Sequence, residues 1–162
     1  MVENRSRPGV PTEIRRSWIA VGVLVAFTLF VWLGRVRNAL VDPALERSDR
    51  VGPLLLAMSF VVPALVLLVG WVTALRRSSP LARWAAGVLG ALAVWTVGVW
   101  VARIVDIAFA GDHSVGFVVV HGVLAAVSSG CAVWAVAAQR RVLGVPHISG
   151  DCQSSEHGMS HS

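Results

Sequence analysis

The chain contains no lysine and only two cysteines among its 162 residues, and charged residues of both signs make up just 14 % of it. The cysteines are Cys131 in an apolar run and Cys152 in a polar tail, so no disulfide framework can be read. All 14 basic residues are arginine. With Ala, Val, Gly and Leu dominating, this bias predicts GC-rich codons and a bacterial source. The signatures of common catalytic sites are missing too: there is no P-loop, no G-x-S-x-G, no H-E-x-x-H and no dinucleotide fingerprint. The expectation is a protein that is not an enzyme. A b-type haem wants two axial histidines from different helices at matching depth, whereas His121 is the one histidine well inside an apolar run. No cofactor is expected.

What the chain has instead is hydrophobicity, at 56 % of residues and a mean hydropathy of +0.70, far beyond what the core of a soluble domain this size requires. Four apolar runs, at about 17–34, 52–74, 84–109 and 114–138, are each long enough to cross a hydrocarbon core, which takes about 20 helical residues. Backbone groups in lipid must be satisfied internally, and the runs lack the alternation of barrel strands. The fold class predicted is an all-α membrane protein with four transmembrane helices in an antiparallel bundle. Residues 1–16 form a cytoplasmic N-terminal segment, 17–138 the membrane domain, and 139–162 a polar cytoplasmic tail expected to be disordered. The first span follows Arg15 and Arg16 like a secretion signal, but no small-residue cleavage pattern follows it, so it reads as an uncleaved anchor.

Arginine placement predicts orientation. Arg5, Arg7, Arg15, Arg16, Arg76, Arg77, Arg83, Arg140 and Arg141 flank one side, and Arg35, Arg37, Arg47, Arg50 and Arg103 the other. Nine against five places both termini in the cytoplasm of a bacterial inner membrane. The formal charge of +5 is explained by these topology signals, and no nucleic-acid partner is expected. In the first loop, Asp42 followed by Pro43 has the form of a helix start, suggesting a short interfacial helix. Pro63 is expected to bend the second span.

Three groups of residues attract functional readings. Arg103, Asp106 and His121 lie inside apolar runs; a hairpin centred near residues 112 and 113 brings them to one level, with His121 opposite Ile104. Thr28 and Ser59 reach similar depth. The simplest role for the three is a lock holding the third and fourth spans together, and the competing one is a polar site for a small anion or a proton. The inner half, with Thr96, Ser128, Ser129 and Cys131, offers no titrating station for a transmembrane proton path. Gly122, Ala126 and Gly130, at four-residue spacing, predict close helix packing, within the chain or between copies. His147, Cys152, His157 and His161 in the tail are ligand types suited to zinc, copper or nickel, but their spacing matches no compact metal site. Asp112 and His113 read as an exposed turn. Together these features suggest a small accessory or assembly component whose partners are the lipid bilayer and other membrane proteins or further copies of itself. The alternatives are a small transporter or channel subunit using Arg103, Asp106 and His121, and metal handling through the tail.

Overall fold

The computed structural model describes residues 11–43, 46, 48–110 and 114–144. Within them the chain forms four helices: α1 (Thr12–Val41), α2 (Val51–Arg77), α3 (Arg83–Ala110) and α4 (Val115–Gly144). Each is long and apolar enough to cross a membrane, so the chain belongs to the class of multi-pass helical membrane proteins. α4 runs through 139–144, so the first six residues of the expected polar tail are helical, not disordered; residues 145–162, with all four tail ligands, and the turn at 112 and 113 lie outside the described residues.

The helices extend beyond the apolar runs, and α1 does so with consequences. It continues through Gly34, Arg35 and Arg37 to Val41, because nothing in "GRVRNALV" breaks a helix. Arg35 therefore belongs to a helix, not to the loop expected for it. The break comes at Asp42, whose extended backbone (φ −69°, ψ 113°) is the conformation favoured before a proline. Its N–H bonds back to Asn38 O at 3.0 Å, so Asp42 closes α1; residues 44, 45 and 47 of the expected interfacial helix lie outside the described residues. Arg50 then donates to Leu40 O and Asp42 O at 3.3 and 2.8 Å, satisfying carbonyls that the helix end leaves open. α2 runs through Pro63 without interruption and ends at Ser78, whose left-handed backbone (φ 48°) lets its N–H return to Ala74 O and Leu75 O. Five residues, 78–82, then suffice to reverse the chain into α3.

Short connections force antiparallel neighbours, and α4 returns beside α1, so the helices form a closed square in the order α1, α2, α3, α4. Diagonal helices do not meet among the described residues, and α2 and α3 pack most sparsely. The centre is solid. Leu24, Phe60, Leu67, Leu89 and Leu92 are fully buried. Trp32 of α1 stacks on Phe60 of α2 with centroids 4.0 Å apart, and Phe60 lies 6.3 Å from Trp95 of α3.

The closest helix approaches are made by glycines other than those singled out from spacing. A Cβ on Gly70 would lie 2.8 Å from Ala85 Cβ, and one on Gly22 2.7 Å from the Trp71 ring. A Cβ on Gly122 or Gly130 would meet nothing within 4 Å, and Ala126 and Gly130 are exposed. The stripe on α4 is thus not the seam of this bundle. Four-residue spacing makes a smooth face, but the seam forms where opposing side chains interdigitate, and there α4 buries His121, Ser128, Ala132, Ala135 and Ala138. At the end of the bundle where α1 begins, Trp71 Nε1 donates to Trp18 O (2.8 Å), Trp18 Nε1 to Ser79 O (3.2 Å) and Ser17 Oγ to Gln139 Oε1 (2.7 Å).

Candidate functional site

The opposite end, where α1 and α3 finish and α2 and α4 start, is not filled. A cavity of about 830 Å³ lies there, lined by all four helices. That volume falls within the usual range for small-molecule pockets, roughly 300–1,000 Å³. α1 contributes Trp32, Arg35, Asn38 and Ala39, with Asp42 at its end. α3 contributes Val99, Trp100, Ala102, Arg103 and Asp106, and α4 Phe117 and His121. The α2 wall, Gly52, Pro53 and Leu56, carries no charge.

The same four-residue pattern makes the walls of α1 and α3. Trp32-Leu33-Gly34-Arg35 and Trp100-Val101-Ala102-Arg103 both place an arginine three residues after a tryptophan, hence nearly one turn above it. Both helices run toward the cavity mouth and both tryptophans are buried, at 8 % and 5 % exposure, while both arginines are exposed. Arg35 lies six residues from the end of α1 and Arg103 seven from the end of α3, so both backbones sit roughly 10 Å inside it. Farther toward the mouth come Asp42 and Asp106. The cavity therefore has an aromatic floor, arginines above it and carboxylates near the rim.

Arg103, Asp106 and His121 all line this cavity, yet they do not form one bonded cluster. Arg103 Nη1 meets Asp106 Oδ2 at 2.7 Å, with side chains 44 % and 61 % exposed. The pair lies within α3, so it cannot lock α3 to α4. Three-residue spacing on one helix puts the two groups within reach of each other before either can reach a neighbouring helix. His121 turns toward α1, where Arg35 Nη2 lies 3.2 Å from its Nε2, and its Nδ1 lies 2.9 Å from Phe117 O. A guanidinium is always a donor, so Nε2 must accept and Nδ1 must carry the proton that goes to Phe117 O. Phe117 and Trp100 hold the ring from two sides, with centroids at 4.0 and 6.5 Å.

Two features of the site were not read from the sequence. Arg35 has no carboxylate partner among the described residues, its one bond being to the His121 imidazole. Trp100 Nε1 is buried without a hydrogen-bond partner. The repeated Trp-x-x-Arg spacing was the available signal, obscured because the end of the apolar run looked like the end of α1. Of the other polar residues near this depth, Thr28 is buried and Ser59 Oγ donates to Leu56 O and accepts from Trp95 Nε1, so neither joins the cavity. Among the described residues no group of three or more His, Cys, Asp or Glu is arranged to hold a metal. Comparison with known protein families, with curated proteins and with solved structures returns no match to this chain.

Proposed function

We propose that this chain is a non-enzymatic accessory component of a membrane assembly in the cytoplasmic membrane of a bacterium, and that it works by offering helix surfaces to other membrane proteins. The observation that carries this reading is the outward face of α4. Only 17 % of its apolar window is buried within the chain, and the exposed part includes Ala126 and Gly130, a smooth strip onto which another backbone can settle. The centre is packed by buried leucines and the Trp32–Phe60 stack, which argues against conduction by one copy. In mild detergent the full chain should sediment with a membrane partner at fixed stoichiometry, and Gly130→Leu should release that partner without lowering the melting temperature. A monodisperse single chain that is unchanged by the substitution would overturn the reading. The cavity favours a second reading, in which the chain is the ligand-binding subunit of a small transporter or channel through the site that holds Arg103, Asp106 and His121.

A further inference from the structure

We infer that the cavity binds an amphiphile headed by an oxyanion, a phosphate, carboxylate or sulfonate on an apolar body, with Arg35 as its principal anchor. The inference deepens the second reading above and rests on it. Arg103 has Asp106; Arg35 has only the lone pair of His121, which uses one of its five N–H donors. The unsatisfied capacity around it is donor capacity. Arg35, Arg103 and Asn38 all line the cavity, as does Trp100, whose buried indole N–H has no partner. Guanidinium forks match the paired oxygens of phosphate and carboxylate. The imidazole does not compete, because its acceptor nitrogen is already turned to Arg35.

The rest of the lining selects what the oxyanion is attached to. Trp32, Trp100 and Phe117 offer aromatic faces, and the α2 wall of Gly52, Pro53 and Leu56 is apolar and small. A free inorganic anion would leave these surfaces empty, whereas an alkyl or isoprenoid body covers them. The side between α2 and α3, where neighbouring helices pack most sparsely, is the one on which such a body would extend toward the lipid. Asp42 and Asp106 nearer the rim set a limit on the headgroup, since a second negative charge extending toward the mouth would meet a carboxylate.

The full chain in maltoside micelles, titrated with dodecyl phosphate and followed by tryptophan fluorescence and melting temperature, tests this directly. Saturable binding is expected, weakened about tenfold or more by Arg35→Gln, which removes a charged donor set. Inorganic phosphate should produce no saturable change. Gly52→Leu keeps every charge and meets no atom near its Cβ, so it should leave the melting temperature of the ligand-free protein in place while blocking the cavity. This variant decides the matter if Arg35→Gln does not fold. Binding of inorganic phosphate as tight as that of dodecyl phosphate, or dodecyl phosphate binding indifferent to Arg35→Gln, would overturn the amphiphilic oxyanion. If dodecanol binds saturably and only Gly52→Leu abolishes it, the oxyanion is wrong although the cavity remains a ligand site. No saturable binding of either amphiphile would remove the ligand-site reading as well.

Discussion

The hydroxyl of Ser17 donates to Oε1 of Gln139 at 2.7 Å, joining α1 to α4 where both residues are almost wholly buried. The amide nitrogen of Gln139 is itself without a partner, so this contact is all the side chain has. Ser17→Ala would leave a buried carboxamide with no bond at all, at a cost of about 1–3 kcal/mol. Asp106→Asn offers the contrast. It neutralises a half-exposed pair on a single helix, and such pairs are worth about 1 kcal/mol or less. Detergent melting should therefore rank Ser17→Ala below Asp106→Asn, although only the second removes a charge. The reverse order would mean that the Arg103–Asp106 pair stabilises α3 more than its exposure implies.

Helices in this bundle meet where a side chain fills the space over a glycine, as Trp84 and Ala85 do over Gly70. Ala85 Cβ is fixed to the α3 backbone and cannot step aside. Gly70→Val should therefore force α2 from α3 and lower stability by about 1–3 kcal/mol, the usual cost of overpacking. Gly130→Leu, with open space around its Cβ, should change the stability of the isolated chain by no more than about 0.5 kcal/mol. Chemical denaturation of the two variants in one detergent checks both. Equal losses would mean that α4 packs through its glycine face after all. The sequence showed the smooth face on α4, but smoothness permits contact without choosing it. The choice came from Trp71 and Trp84, bulky partners that only the folded arrangement brings opposite Gly22 and Gly70.

For the molecule as a whole, the bundle places Arg76, Arg77, Arg83, Arg140 and Arg141 at one end with the start of α1, and the cavity at the other. If the arginine-rich end faces the cytoplasm, the cavity opens on the outer face of the membrane. Reporter fusions after residues 42, 79, 112 and 145 should then read outside, inside, outside and inside. An outside signal at residue 145 would reverse the orientation and place the cavity on the cytoplasmic leaflet.

The number of helices, their transmembrane length and the α3–α4 hairpin were legible in the chain itself. Hydropathy summed over about 20 residues and the need to satisfy the backbone in lipid are local properties, and they leave a single regular structure open to each run. The limits of α1 were less legible, because apolar character stops at the headgroups while helical hydrogen bonding continues, and so Arg35 was placed in a loop. Which face of each helix turns inward could not be read. A lipid-facing surface is as apolar as a packed one, so no amphipathic stripe separates inside from outside. The partner of His121 lies 86 residues away on α1, and the cavity is bounded by four helices at once. Both depend on how far each helix is rotated about its own axis, which is settled by the interlocking of side chains from all of its neighbours.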